Sequence, residues 1–201
     1  MAQPKIVARE EWLEARKALL IKEKEHMRSS DRLSAERRAL PWVKVEKVYR
    51  FDAPEGKVSL AELFGGRNQL IVHHLMFHPD WDAGCRGCSF QAEHIDGPGQ
   101  HLEHHDVSIV AVSRAPFAKI AAYKRRMGWR FNWVSSDGSD FNFDFGVSFS
   151  KEQLTNGSVE YNFGTITVDR AIKARNCPAS AFSTRMRAPR CSIPIRPMRG
   201  A

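Results

Sequence analysis

The chain has 201 residues and a formal net charge of +8, from 31 Lys and Arg against 23 Asp and Glu. This length suffices for one domain with a sizeable core, and four cysteines are too few for a disulfide scaffold. No run approaches the roughly 20 apolar residues of a membrane span, and charges at residues 9–11 replace the apolar part of a secretory leader. We expect a cytoplasmic protein without a membrane partner.

The excess positive charge lies at the C-terminal end. The segment after Asp169 contains no acidic residue and eight basic ones: Arg170, Lys173, Arg175, Arg185, Arg187, Arg190, Arg196 and Arg199. The other 23 Lys and Arg balance the 23 Asp and Glu. A basic chain suggests nucleic acid as a partner, but here the body of the chain is neutral. We therefore predict no nucleic-acid partner.

The first elements follow from periodicity. Residues 10–40 have apolar positions at helical spacing, and Pro41 ends the predicted helix. Residues 43–51 alternate apolar and polar side chains, which predicts a half-buried strand. Residues 58–64 predict a short helix that ends at Gly65.

A βαβ pattern occupies the middle of the chain. Residues 70–77 predict a buried strand, residues 89–105 a helix, and residues 107–112 a second strand. A further helix is predicted over residues 117–127, with Gly128 as its stop. The aromatic residues 129–149 predict loops and short strands.

A Cys-Arg-Gly-Cys motif stands at the strand-to-helix junction of this pattern, with cysteines at Cys85 and Cys88. C-x-x-C at this place is typical of a thioredoxin-like redox site. The partial positive charge of a helix N-terminus favours a thiolate there, and the thiolate is the nucleophile in disulfide exchange. The motif predicts a redox dithiol.

Two alternatives remain for the cysteines: they are incidental, or they bind a metal in a non-catalytic metal- or partner-binding module. Seven of the eight histidines lie between residues 73 and 105, so the candidate zinc ligands are Cys85, Cys88, His78 and His94. Against zinc, the chain has no second C-x-x-C, and adjacent strand residues His73 and His74 point to opposite faces. The redox interpretation requires no cofactor.

Other redox classes fit the sequence less well. Peroxiredoxins use a Pro-x-x-x-Thr-x-x-Cys loop, and the segment from Pro79 to Cys85 has neither that spacing nor the threonine. A c-type haem requires a histidine directly after the second cysteine, where this chain has Ser89.

Several motifs together resemble one bacterial family. They are residues 81–90, 112–120, 127–129 and 138–145, and they resemble a thioredoxin-like family of predicted dithiol-disulfide oxidoreductases, catalogued as a domain of unknown function. The resemblance covers about residues 5–165. It implies a thioredoxin-like α/β fold and dithiol redox chemistry, and we expect a protein or small-molecule disulfide as substrate. It also implies that Cys85 attacks and Cys88 resolves, with Trp81, Ser89, Arg114 and Trp129 near the site.

The resemblance ends in the basic tail. Residues 176–185 and 191–199 can be encoded by codons that, when read in a frame shifted by one base, encode the sequence with which the family continues. We interpret this as a single-base frameshift between about Thr165 and Cys177; the alternative is a genuine basic tail. Pro178 stands where thioredoxin folds place a proline facing the dithiol, but the strand that would hold it is replaced. We predict that the final β-hairpin is missing and that activity is impaired.

The predicted organisation therefore has three parts. Residues 1–42 form an N-terminal helical extension, residues 43–165 the thioredoxin-like domain, and residues 166–201 a disordered or out-of-frame tail.

Overall fold

The computed structural model describes residues 5–161, 163–169, 172, 182–187 and 197–198. The chain divides into two compact units, Met1–Pro41 and Trp42–Ala201. The first unit consists of one helix, α1 (Arg9–Ala39), which has no buried residue. The predicted N-terminal helix is thus present, and it ends before Pro41, which cannot continue a helix.

The second unit is built around a seven-stranded sheet. Its strands in chain order are β1 (Arg50–Ala53), β2 (Gly56–Ser59), β3 (Gln69–His74), β4 (Val107–Ser113), β5 (Asn132–Ser135), β8 (Phe182–Arg187) and β9 (Pro197–Met198). Their order across the sheet is β2-β1-β5-β4-β3-β8-β9. The central strands β3, β4 and β5 are parallel, and the flanking pairs are antiparallel.

Helices and a small hairpin complete this unit. The helices are α2 (Arg86–Asp96), α3 (Gly99–His104), α4 (Phe117–Met127), α5 (Phe141–Asp144) and α6 (Lys151–Thr155). A separate two-stranded sheet pairs β6 (Ser158–Tyr161) with β7 (Gly164–Thr167).

The predicted βαβ unit is present. Strands β3 and β4 run parallel in a register that pairs Gln69 with Val107, and α2 and α3 connect them. The single helix predicted over residues 89–105 is wrong in detail. It is divided at Gly97 and Pro98, since proline lacks the N–H that a continuous helix needs.

Buried side chains form a cluster on each side of the central strands. One cluster includes Phe51, Leu70, Val72, Val110, Val134 and Phe141. The other includes Leu75, Phe77, Cys88, Ile120, Tyr123, Trp129 and Trp133. The continuous apolar runs of β3 and β4 reflect this burial on both faces, as expected for parallel strands. Cys88 therefore belongs to the core.

The strand predicted over residues 43–51 is wrong. Only Arg50–Ala53 forms β1, paired with β2. The alternation arises because Tyr49 is buried and Val45 packs against the core while Lys47 faces solvent and contacts Asp140 and Asp144. Of the helix predicted over residues 58–64, only one 3-10 turn forms, Glu62–Phe64. It ends at Gly65 as expected, and this glycine has a φ of 55°.

The predicted absence of a final hairpin is also wrong. Strand β8 pairs antiparallel with β3 over its full length, and β9 pairs with β8. Without β8, the backbone groups on this side of β3 would be an open edge, and Met186 of β8 is fully buried in the core. Pro178 lies outside the described residues. The frameshift stays a prediction.

Candidate active site

The two motif cysteines lie at the start of α2. Cys85 is the N-cap residue of the helix and is half-buried, whereas Cys88 is only 2% exposed. Both are free thiols, and their side chains are in hydrogen-bond contact. Burial raises the pKa of the Cys88 thiol to about 12, outweighing a hydrogen bond to the Met76 backbone. A partly exposed cysteine thus lies beside a shielded one.

Hydrogen bonds fix both the N–H and the carbonyl of Cys85. Its N–H donates to the carbonyl of Met76 at 2.9 Å. Its carbonyl accepts from the N–H and from the hydroxyl of Ser89, at 2.8 and 2.9 Å. The Ser89 hydroxyl also lies 2.9 Å from the buried hydroxyl of Tyr123 on α4. This chain of contacts fixes the first turn of α2 to α4.

Gly84 allows the close approach that this arrangement needs. A Cβ at this position would come within 3.2 Å of both Leu75 and Tyr123, and within 3.5 Å of the Ser89 hydroxyl. A side chain here would therefore require Leu75 and Tyr123 to shift by a few tenths of an ångström. The small residue before Cys85 has a steric role.

The loop between β3 and Cys85 is attached to α4. The ammonium of Lys119 donates to the carbonyls of Pro79 and Trp81, at 2.8 and 3.0 Å. It also lies 3.9 Å from the carboxylate of exposed Asp82. The loop further closes on itself, because the N–H of Trp81 donates to the His78 carbonyl at 3.0 Å.

Arg114 follows β4 at the same edge of the sheet as this loop. Its guanidinium lies 4.6 Å from the ring centre of Phe143. Partial burial, followed by the charge of Arg114, lowers the pKa of His78, although nearby Asp80 opposes the shift. The charge of Arg114 therefore reaches His78 in the loop that precedes the cysteines.

The tryptophans predicted near the site occupy different positions. Trp81 is half-buried and packs, like Cys85, against the cluster that contains Cys88. Trp129 lies inside that cluster, with ring centres 5.7 Å from those of both Tyr123 and Trp133. Trp129 therefore supports the core beneath the site.

The four candidate zinc ligands are not assembled. Within the described residues, no group of three or more His, Cys, Asp or Glu is placed to hold a metal ion. His94 lies exposed on α2, where its Nδ1 is 2.9 Å from the Phe90 carbonyl and its ring contacts the Phe90 ring. The Nδ1 of His78 instead accepts a hydrogen bond from the N–H of Asp80 at 3.3 Å and lies 3.4 Å from the Asp80 carboxylate.

Sequence reasoning missed Tyr123 and Lys119 as parts of this site. Both lie on α4, about 35 residues after the cysteines, and only the tertiary structure brings them to α2 and its loop. The sequence does contain one signal. Lys119 is a cation in the first turn of a helix, where the macrodipole disfavours positive charge.

Comparison with protein families decides the classification. Residues 1–188 match the family described as "Bacterial protein of unknown function (DUF899)". The chain belongs to this family. The match extends beyond residue 165, where the recognised resemblance ended. A comparison with curated proteins gave no significant match.

Solved structures show which fold this DUF899 member has. Peroxiredoxin Q of Xanthomonas campestris is 11% identical with a TM-score of 0.50, covering 77% of this chain and 85% of that chain. The bacterioferritin comigratory protein of the same organism, described for alkyl peroxide reduction, has the same identity and TM-score, covering 77% and 86%. Peroxidoxin BcpB of Mycobacterium tuberculosis is 13% identical with a TM-score of 0.47, covering 75% and 82%.

The two similarities with a TM-score of 0.50 confirm the predicted fold class. The DUF899 member is a mixed α/β protein of the thioredoxin-like type, with an added N-terminal helix. At this level of identity the comparison concerns the fold alone. Among the described helices, none combines the length and the apolar character that crossing a membrane requires.

Proposed function

We propose that this protein is a thiol-disulfide oxidoreductase in which Cys85 attacks the substrate and Cys88 resolves the intermediate. The observation that carries the proposal is the arrangement of the two thiols. Cys85 is accessible at the positive end of α2, and Cys88 is shielded one turn further along. Reactive cysteines occupy partially exposed, electropositive positions, whereas shielded ones react only with a neighbour.

The reaction has two exchange steps. The Cys85 thiolate attacks one sulfur of a disulfide, forms a mixed disulfide and releases the first substrate thiolate. Cys88 then loses its proton and attacks the Cys85 sulfur, which forms the intramolecular disulfide and releases the second thiolate. The two thiolates take up the protons lost by the cysteines. The protein dithiol is oxidised by two electrons, and the disulfide is reduced to two thiols.

The raised pKa of Cys88 supports this order of attack. At about 12, it keeps Cys88 protonated at neutral pH, so that Cys88 does not compete with Cys85 for substrate. Ser89 and Tyr123 would hold the first turn of α2 in place while the Cys85 sulfur changes partners. Trp81 and Arg114 would border the approach to Cys85.

Alkylation of the reduced protein tests the assignment. We expect iodoacetamide at pH 7 to label Cys85 at least about tenfold faster than Cys88, because only a thiolate reacts and burial suppresses ionisation of Cys88. Peptide mapping by mass spectrometry measures the ratio. Preferential labelling of Cys88 would contradict the proposal.

Two variants separate the roles of the cysteines. Cys88→Ser should accumulate a mixed disulfide with a model disulfide such as oxidised glutathione, because the resolving thiol is missing. Cys85→Ser should form none. If both variants form the mixed disulfide equally, the two thiols have no distinct roles.

The substrate we propose is a disulfide, on a protein or a small molecule. Because the fold is shared with peroxiredoxins, hydrogen peroxide is the informative comparison. A faster reaction with peroxide than with disulfides would reassign the substrate.

Stoichiometric zinc in the purified protein, lost together with the fold on chelation, would support a metal-binding module instead of an oxidoreductase.

We also propose that the C-terminal sequence impairs this activity. The gene sequence across codons 160–201 tests the frameshift directly. If the frame is restored by one base, we expect faster disulfide reduction, because the C-terminal segment would then have the sequence with which the family continues. An early stop codon in the shifted frame would refute the idea.

A further inference from the structure

A groove lies between α4 and the loop that precedes Cys85. Its volume is about 210 Å³. Its lining residues are Asp82, Lys119, Ala122, Tyr123 and Arg126. The four residues from α4 stand at positions i, i+3, i+4 and i+7, so they share one face of the helix. Asp82 belongs to the loop, and the groove is therefore formed by one helix face and the segment that leads to the cysteines.

The groove adjoins the cysteine that we propose as the attacking one. The hydroxyl of Tyr123 lies 2.9 Å from that of Ser89, which donates to the Cys85 carbonyl at 2.9 Å. Asp82 is three residues before Cys85, so the Cα atoms of these two residues are at most about 11 Å apart. The Cα atoms of disulfide-linked cysteines lie about 5.5 Å apart. A group one or two residues from the cysteine of a substrate can therefore reach the groove.

Positive charge predominates in this groove. Lys119 and Arg126 contribute two cations, and Asp82 contributes one carboxylate on a fully exposed side chain. The helix that forms one wall, α4, has four basic residues and no acidic one. An anionic group of the substrate would therefore be attracted into the groove.

Contacts orient both cations without neutralising them. The ammonium of Lys119 donates to two main-chain carbonyls and lies 3.9 Å from the Asp82 carboxylate, which is beyond hydrogen-bond distance. The guanidinium of Arg126 lies 4.6 Å from the ring centre of Tyr123. An aromatic ring attracts a cation but carries no net charge to cancel it. Because both side chains are already held in place, binding an anion would cost less conformational entropy.

The helix macrodipole explains part of this charge but not its placement. Lys124, Arg125 and Arg126 all lie in the last turn of α4, where cations are favoured. Of these three, Arg126 is the one that lines the groove. Lys119 lies in the first turn, where the macrodipole disfavours a cation.

We propose that this groove binds a carboxylate of the substrate, so that the protein prefers disulfides with a carboxylate one or two residues from the cysteine. Arg126 would determine this specificity, since a guanidinium can donate two parallel hydrogen bonds to one carboxylate. The proposal rests on the proposed function, because the disulfide itself must react with Cys85. The required carboxylate occurs both in small peptide disulfides and in acidic segments of proteins.

Two matched disulfides test the preference. They are oxidised glutathione and its form in which both glycine carboxylates are ethyl esters. The variant Cys88→Ser retains the mixed disulfide at Cys85, so mass spectrometry gives the rate of its formation. Each rate is divided by the rate of the same disulfide with 2-mercaptoethanol, which removes the difference in intrinsic reactivity. We expect the free carboxylate to be preferred about fivefold at low salt.

Substitutions on α4 locate the binding site. In the Cys88→Ser background, Arg126→Met should abolish the preference and leave the rate with the ester unchanged, whereas Arg126→Lys should keep part of the preference. Arg125→Met is the matched control, because it removes one charge from the neighbouring exposed position outside the groove. It should keep the fivefold preference. If Arg126→Met keeps the preference, lowers both rates equally, or matches Arg125→Met, the groove does not bind the carboxylate.

The outcomes also separate this proposal from the proposed function. If neither disulfide forms a mixed disulfide at Cys85, the proposed function fails and this proposal fails with it. If both react at equal normalised rates, the oxidoreductase function stands and the groove proposal is overturned.

A second pair of disulfides distinguishes the two sources of the carboxylate. It consists of a peptide disulfide with Glu directly after the cysteine and the same peptide with Gln. A preference for the Glu peptide that Arg126→Met abolishes would indicate acidic protein segments as substrates. A preference confined to the glutathione pair would indicate a small-molecule disulfide in the same groove.

Discussion

Lys119 connects the loop before the cysteines to α4. Its ammonium binds two main-chain carbonyls, those of Pro79 and Trp81. The carbonyls belong to the loop between β3 and Cys85, and the N–H of Cys85 donates to the carbonyl of Met76 near the start of this loop. A single side chain therefore holds the middle of a loop whose two ends already meet.

We predict that Lys119→Met loosens this loop. Hydrogen bonds from charged donors contribute about 1.5–3 kcal/mol each to stability, and Lys119 is partly exposed, so we expect the lower end of this range. Loop opening would uncover Cys88. Its alkylation in the folded protein should rise about tenfold, as measured by peptide mapping, whereas Lys119→Arg should retain part of the protection.

Arg125→Met is the matched control for Lys119. It removes one positive charge from the same helix, at an exposed position. Its Cys88 labelling should equal that of the unmodified protein. If Lys119→Met lowers the melting temperature without changing Cys88 labelling, the residue stabilises the fold but does not position the loop.

At the scale of elements, Asp96 joins α2 to the strand that follows α4. Its carboxylate accepts two main-chain hydrogen bonds at 2.7 Å, from the N–H groups of Arg130 and Phe131, directly before β5. Partial burial alone would raise the pKa of Asp96, but these hydrogen bonds outweigh it, and the pKa lies below its ordinary value. The carboxylate thus stabilises the end of α2 in its charged form.

We predict that Asp96→Ala destabilises the protein by about 2 kcal/mol, since two main-chain donors lose a charged acceptor. Urea unfolding measures the change. Arg130→Ala removes only an exposed ion pair with the same carboxylate and should cost less than about 1 kcal/mol. Equal effects of the two substitutions would show that the ion pair, not the main-chain contact, is the stabilising part.

At the scale of the whole molecule, two buried histidines make the fold sensitive to acid. His73 and His74 are each only 4% exposed in β3, and His74 stacks on Phe141 with ring centres 5.6 Å apart. Burial lowers the pKa of His73 to about 4 and that of His74 to about 3, with the neighbouring His73 contributing to the second shift.

We predict that stability falls as the pH decreases from about 6.5 to about 4. In this range unfolded histidines take up protons while the folded ones stay neutral, so the unfolded state is favoured by about 1.4 kcal/mol per pH unit for each histidine. Urea unfolding at a series of pH values measures the slope. His74→Phe should reduce the slope, because it removes one of the two buried imidazoles.

The sequence by itself determined the βαβ unit, the long α1 and the position of the C-x-x-C motif. These features are local: continuous apolar runs predict buried parallel strands, and a motif at a strand-to-helix junction needs no distant partner to be recognised. The capping roles of Gly65 and Gly128, both at positive φ, belong to the same group. They follow from the ease with which glycine adopts that backbone conformation.

Only the tertiary structure decided which distant residues meet. Strand β8 pairs with β3 across more than 100 residues, so the departure of the C-terminal sequence from the family's pattern wrongly predicted that the final hairpin was missing. Residues 43–49 alternate like a strand, yet Lys47 and Tyr49 contact side chains in α5 and directly before it. Tyr123 and Lys119 reach the cysteine segment because α4 packs beside α2. Such contacts depend on how elements stack, which no local pattern specifies.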